Sequence, residues 1–352
     1  MTVLGRLGML GSSLITLASS AGLYAVRTAG MPAHELYEDE DFDAILRLPK
    51  RVIHTEDDVS LVVREAGSPF APLTVVFVHG YCLRMQSWHL QYRHIAERWG
   101  RDVRMVFVDQ RGHGESGASG SKTCTIAQLG RDLGRVIDAT APAGPVVVVG
   151  HSMGGMTTIA LAAQRPELFG PRVVAVGLLA TTAAGLSKSG IGRNLDNPVI
   201  DAFRYAARTA PGFVQQARGM ARAIVSPILR AASYGTVVSP RLVRFSDRML
   251  DETPVLTIVN FLRTLELHDE SAALPVLGTV PVLVLSGDAD MVIPYASSED
   301  LAEALPDVEL KRVRGAGHLV QLEFPEVVNR AVDRLIQRGF AHDVSTRRSA
   351  IV

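Results

Sequence analysis

The chain has 352 residues, 47% hydrophobic and 20% charged, which supplies enough apolar material for one large α/β domain with an insertion or for two modest domains. Lys plus Arg and Asp plus Glu balance at 36 each, so no global field draws the protein to nucleic acid or to an anionic surface, and a small neutral or apolar partner fits better. The two cysteines, Cys82 and Cys124, lie in segments of different character, which argues against a disulfide framework and against a thiolate metal cluster.

Residues 1–30 form an apolar N-terminal segment. From Leu7 to Val26 it carries no charge for 20 residues and is bracketed by Arg6 and Arg27. That length suits a membrane anchor or the apolar region of a secretory signal, and the alternative is a helix docked on the protein's own surface. An uncharged stretch this long favours membrane association or export; a cytoplasmic location follows if the helix packs on the body. Residues 31–50, preceded by Gly30 and containing Pro32 and the acidic run Glu38-Asp39-Glu40-Asp41, read as a solvated linker.

The body begins near Arg51. Val52-Ile53-His54 and Ser60-Leu61-Val62-Val63, separated by Glu56-Asp57-Asp58, predict an antiparallel hairpin. The apolar run Leu73 to Val78 predicts a strand ending at His79-Gly80-Tyr81. A helix over Met85 to Trp99, a strand at Val103 to Val108, a helix from Ile126 to Ala139 and a strand beginning at Val146 follow. Strands alternating with helices of this length call for a mostly parallel sheet covered on both faces. After a strand at Val173 to Leu179 the alternation stops. Residues 184–268, broken by Pro198, Pro211, Pro227 and Pro240, read as a helical cap. Alternation resumes with the apolar run Val280 to Leu285, a helix from Tyr295 to Leu305, a strand at Val308 to Val313 and a helix from Pro325 to Arg338. Residues 51–183 and 269–338 thus make the core, and 339–352 a loose polar tail.

Gly150-His151-Ser152-Met153-Gly154 fits G-x-S-x-G between a buried strand and a helix-compatible run, the context in which a strained turn exposes a serine as a nucleophile. Such a serine needs a base, and the base needs a carboxylate to fix its tautomer. His318, in the glycine-rich loop Gly315-Ala316-Gly317-His318, follows a late strand and suits the base. Asp288 and Asp290 share the loop after the Val280 strand, and either suits the acid; the alternative position, Leu178 to Gly185, contains no carboxylate. The backbone N–H of Met153, first in the new helix, points where an oxyanion would form.

Five motifs in order, His79-Gly80-Tyr81, Asp109-Gln110-Arg111-Gly112-His113-Gly114, the serine turn, Gly287 to Pro294 and Gly315 to His318, resemble the α/β-hydrolase fold superfamily over about residues 50–338. The resemblance implies a mainly parallel eight-stranded sheet with helices on both faces and a cap inserted after the sixth strand. It selects Asp290 as the acid through the spacing Gly, two residues, Asp, three residues, Pro, leaving Asp288 to bond its own loop amides. It makes the Tyr81 N–H the second oxyanion donor and gives His79, His113 and His151 bracing roles. Serine at position 152 separates the chain from haloalkane dehalogenases and epoxide hydrolases, which carry aspartate there, so Tyr205 and Tyr234 read as packing or pocket-lining residues rather than as epoxide-opening acids.

The expected function is a cofactor-free and metal-free serine esterase or lipase acting on a small lipophilic ester. C–C bond hydrolysis and perhydrolase or haloperoxidase chemistry use the same triad, and a non-enzymatic ligand-binding relative is the reading from another class.

Overall fold

In the computed structural model, which describes residues 37–185 and 232–349, the β-branched runs form the middle of one sheet. Its strands are β1 (Lys50–His54), β2 (Ser60–Ala66), β3 (Leu73–Val78), β4 (Val103–Asp109), β5 (Val146–His151), β6 (Val173–Leu179), β7 (Val282–Gly287) and β8 (Val308–Val313). They lie in the order β1-β2-β4-β3-β5-β6-β7-β8. β2 pairs antiparallel with β1 and β4, and every pairing from β4 through to β8 is parallel. The helices, in chain order, are α1 (His89–Trp99), α2 (Ile126–Thr140), α3 (Met153–Gln164), α4 (Pro240–Glu252), α5 (Val255–Glu266), α6 (Leu274–Leu277), α7 (Ala296–Glu303), α8 (Val320–Glu323) and α9 (Pro325–Ser349).

Successive side chains of a strand point to opposite faces, so β3, β4 and β5 feed two cores. Val76, Val78, Val106, Val108, Val146 and Val148 pack with residues of α2, α3 and α7, among them Leu133, Ile137, Ile159 and Leu301. Val75, Phe77, Met105, Phe107, Val147 and Val149 pack instead with α1 and α9, through Ile95, Val328, Val332 and Leu335. All six residues of β5 are buried. Each buried valine contributes roughly 1.5–3 kcal/mol, so the strand that delivers Ser152 is fixed from both sides.

Two segments differ from the sequence expectation. The acidic stretch read as a solvated linker is docked on the body: Phe42 is buried, stacks on Phe245 of α4 at 4.3 Å and meets the His89 ring edge-on. Glu40 pairs with His89 at 2.6 Å and with Arg93, while Asp43 pairs with Arg248 of α4 at 2.6 Å. Two of the carboxylates, Glu40 and Asp43, are matched by arginines from distant parts of the chain. The tail expected to be loose is helical to Ser349, because Gly339 lets α9 pass close to the sheet (an added Cβ would lie 3.0 Å from Val147 Cγ2) and Phe340 stacks on Trp99.

Residues 186–231 of the cap and the apolar segment Leu7 to Val26 lie outside the described residues. The described remainder of the cap supplies α4 and α5. Among the described residues no helix is long and apolar enough to cross a membrane.

Candidate active site

Ser152 sits between β5 and α3 with φ 52° and ψ −119°, a left-handed conformation costly for a residue with a Cβ. The glycines on either side make the turn possible by close approach. A Cβ on Gly150 would lie 2.4 Å from Gly154 O, and one on Gly154 would lie 2.1 Å from Val78 O. The turn is locked by the Ser152 N–H donating to Leu179 O at 2.9 Å and by Thr181 Oγ1 donating to Ser152 O at 2.7 Å.

The loops after β7 and β8 meet this turn. Ser152 Oγ lies 2.9 Å from His318 Nε2, and His318 Nδ1 lies 2.8 Å from Asp290 Oδ2. Asp290 Oδ1 accepts the Val292 and Ile293 N–H groups at 2.8 and 2.9 Å. All three residues are buried. With a carboxylate facing Nδ1, that nitrogen carries the proton and Nε2 is the acceptor for the serine hydroxyl.

Asp288 bonds beyond its own loop as well as its own backbone N–H. Its Oδ1 accepts the Gly315 N–H at 2.6 Å and its Oδ2 the Arg312 Nε–H at 3.0 Å, so it tethers the loop that carries His318.

The other imidazoles are connectors. His79 Nδ1–H donates to Gly80 O at 2.7 Å and Nε2 accepts the Gln110 N–H at 3.0 Å. His113 Nδ1–H donates to Arg111 O at 3.1 Å and Nε2 accepts the Cys82 N–H at 3.3 Å. His151 Nε2–H donates to His318 O at 2.9 Å. Burial holds all three neutral, His79 well below the ordinary imidazole range, His113 pushed down to about 4 and His151 to about 3. Asp109, buried under the same loops, accepts the Met85 and Glu115 N–H groups, and desolvation pushes its carboxyl up to about 6.

The loop after β4 is stiffened from below by Arg111. Its buried guanidinium bonds both oxygens of Asp132 on α2, at 2.5 and 2.7 Å, and both of Asp57 in the β1–β2 turn, at 2.7 and 3.0 Å.

Met153 is the first residue of α3, so its N–H has no acceptor within the helix. Tyr81 follows Gly80, whose backbone abuts the serine so closely that an added Cβ would lie 3.2 Å from Ser152 Cβ and 2.6 Å from His151 Nδ1. The Tyr81 hydroxyl donates to Ile258 O of α5 at 2.5 Å, tying this loop to the cap. Cys82 is buried with its thiol pushed up by desolvation, and among the described residues no cluster of His, Cys, Asp and Glu could hold a metal ion. Tyr234 is buried in the α4 cluster, and Tyr205 lies outside the described residues.

A family model for the alpha/beta hydrolase fold matches residues 74–325. The chain belongs to this family. Among its relatives, the monoacylglycerol lipase of Mycolicibacterium smegmatis is 26% identical over 262 residues, covering 70% of this chain and 81% of that protein. The monoglyceride lipase of Rattus norvegicus is 28% identical over 276 residues, covering 73% and 79%. An esterase from Exiguobacterium antarcticum superposes with a TM-score of 0.67 at 19% identity, covering 82% of this chain and all of that one, a likeness of fold.

A cleft bordered by His318, His151 and Tyr81 in this alpha/beta hydrolase has an apolar wall of Leu83, Leu250, Val292 and Leu319, with Ser233, Ser246 and Asp247 contributed by the cap. Reading the sequence missed Glu323, which accepts the Gly317 N–H at 2.6 Å beside His318. A single charge inside the apolar run Leu319 to Phe324, immediately after the histidine loop, was the available signal.

Proposed function

We propose that this alpha/beta hydrolase is a serine hydrolase acting on lipophilic carboxylic esters through an acyl-enzyme on Ser152. The relay from Ser152 Oγ through His318 to Asp290, at 2.9 and 2.8 Å on a strained elbow, is the observation that carries this reading.

As Ser152 Oγ attacks the ester carbonyl carbon, His318 Nε2 takes its proton and Asp290 stabilises the imidazolium that forms. The carbonyl oxygen becomes an alkoxide held by the Met153 and Tyr81 N–H groups. Collapse breaks the bond to the leaving alcohol, which takes the proton from His318. Water then enters, gives a proton to the same nitrogen and releases the acid. The apolar wall of the cleft and the balanced net charge support an uncharged, lipophilic acyl group. The uncharged run Leu7 to Val26 supports association with a membrane, where such esters concentrate.

An acyl-chain-length series of p-nitrophenyl esters, run beside a vinylogous diketone panel and a Ser152→Ala control, tests the reading. Ester turnover abolished by Ser152→Ala is expected. Diketone cleavage without ester turnover would move the chemistry to C–C hydrolysis, and no labelling of Ser152 by a serine-directed phosphonate would remove the nucleophile. Fractionation of the full chain against one lacking the first 30 residues tests the membrane association; unchanged distribution refutes it.

A further inference from the structure

Two loops hold His318 from below, and a third contact reaches it from the cap. Glu323, at the end of α8, is half-buried, and among the described residues its carboxylate meets no cation. It accepts four donors instead. Oε2 takes the Gly317 N–H at 2.6 Å and the Gly235 N–H at 3.2 Å, while Oε1 takes the Thr236 N–H and, at 2.6 Å, the Thr236 hydroxyl. Gly317 precedes His318; Gly235 and Thr236 belong to the segment by which the cap returns to α4.

The two backbones touch where the carboxylate joins them. A Cβ on Gly235 would lie 2.2 Å from Gly315 O, and one on Gly317 would lie 2.5 Å from Gly235 N. On the far side of the histidine, the Leu319 N–H donates to Ser233 O at 2.8 Å. The residues immediately before and after His318 are therefore both bonded into contacts with cap residues 233–236. A carboxylate partly withdrawn from water and surrounded by N–H and O–H donors is held in place by them, and one without those donors is costly.

We propose that Glu323 is a positioning residue that sets His318 against Ser152 by fastening the histidine loop to the cap's return segment. The base is in register with the nucleophile only while the histidine loop stays bonded to residues 233–236. The proposal rests on the reading of Ser152 and His318 as nucleophile and base.

Glu323→Gln keeps the size of the side chain but turns an –NH₂ group toward donors that need an acceptor. A displacement of the base by a fraction of an ångström to one ångström costs on the order of tenfold to a hundredfold in kcat. We expect that loss per phosphonate-titrated site, falling on kcat more than on KM because the side chain of Glu323 does not itself line the cleft. The downfield proton resonance of His318 Nδ1–H should shift or broaden. Wild-type kcat and an unshifted resonance in folded Glu323→Gln overturn the proposal.

Should Glu323→Gln fail to fold, Thr236→Val removes one of the four donors alone. A loss of about threefold in kcat supports the proposal, and full activity overturns it. If phosphonate does not label wild-type Ser152, the acyl-enzyme reading falls separately. The His318 resonance still decides the positioning role: a shift in the variant supports it and an unchanged signal refutes it.

Discussion

Asp290→Asn separates the two jobs of one carboxylate. Oδ1 is committed to the Val292 and Ile293 N–H groups at 2.8 and 2.9 Å, and Oδ2 faces His318 Nδ1 at 2.8 Å. An asparagine has one acceptor oxygen and one –NH₂. Two backbone donors claim the oxygen, because the reverse orientation would set –NH₂ against two N–H groups. The –NH₂ then faces Nδ1 and makes it an acceptor, so Nε2 carries the proton and points it at Ser152 Oγ. The base is present, correctly placed and unable to accept. The loss expected is about 10³- to 10⁴-fold in kcat, equivalent to roughly 4–5.5 kcal/mol, with little change in KM or in folding. Hydrolysis of p-nitrophenyl butyrate, normalised to phosphonate-titrated sites, measures it. Asp288→Asn is the paired control: its oxygen can keep the Gly315 N–H and loses only the partly exposed Arg312 partner, so activity should stay within about tenfold of wild type. Asp290→Asn activity within tenfold of wild type, or a larger loss at Asp288, would refute the assignment of the acid.

Stability should fall on acidification below about pH 6.5. His113 and His151 stay neutral when buried, down to about 4 and about 3, so unfolding takes up protons as the pH drops through the ordinary imidazole range. Asp109, raised from 3.8 to about 6, opposes them in that interval because its folded form keeps a proton the unfolded chain releases. One net proton from these three groups corresponds to about 1.4 kcal/mol per pH unit, and urea midpoints at pH 7, 6 and 5 that do not decline would contradict it. Gly154→Ala places a methyl 2.1 Å from Val78 O, where the three nearest atoms are all backbone, and should cost about 3 kcal/mol or more; a melt within two degrees of wild type would show that the elbow can relax. Phe42→Ala removes a buried ring stacked on Phe245 and should cost about 3 kcal/mol, whereas Phe70→Ala, at a side chain 93% exposed, should change the melt by less than about 0.5 kcal/mol. Equal effects of the two would return residues 37–43 to the status of a solvated linker.

Features set by short-range rules were readable from the chain. β6 and β8 coincide with their apolar or alternating runs, and β5 leads into the serine turn where the glycine spacing places it. The order of serine, acid and histidine brought together three residues separated by 28 and 166 positions. Features set by distant partners were not readable. The run Glu38 to Asp41 looks solvated in any local window, since Arg93 and Arg248, which answer the carboxylates of this segment, lie on α1 and α4. Gly339 resembles a helix terminator by local propensity, yet it is a point of contact between α9 and β5. The same limit explains Asp288 and Glu323, whose bonds go to loops that only the folded sheet brings near.

Four imidazoles surround the elbow, and their hydrogen bonds explain why only one of them suits proton transfer. His79, His113 and His151 are buried, and each uses a ring N–H to hold a backbone carbonyl. Protonating any of them would place a cation in a desolvated pocket without a carboxylate in hydrogen-bonding reach; the nearest approach is His79 Nε2 to Asp109 Oδ1 at 4.0 Å, and burial favours the neutral form of both. His318 differs in having Asp290 at 2.8 Å, a carboxylate able to balance a charge on its ring. The neutral rings thus serve as rigid bridges that hold the Gly80 loop, the Arg111 loop and the His318 loop together while excluding a competing base. A cavity-lining histidine made cationic at this site would reduce activity by repelling the His318 imidazolium. For that reason a substitution that exposes His151 to water should depress activity most at low pH, where its ring would begin to charge, and much less at pH 8, where it would stay neutral.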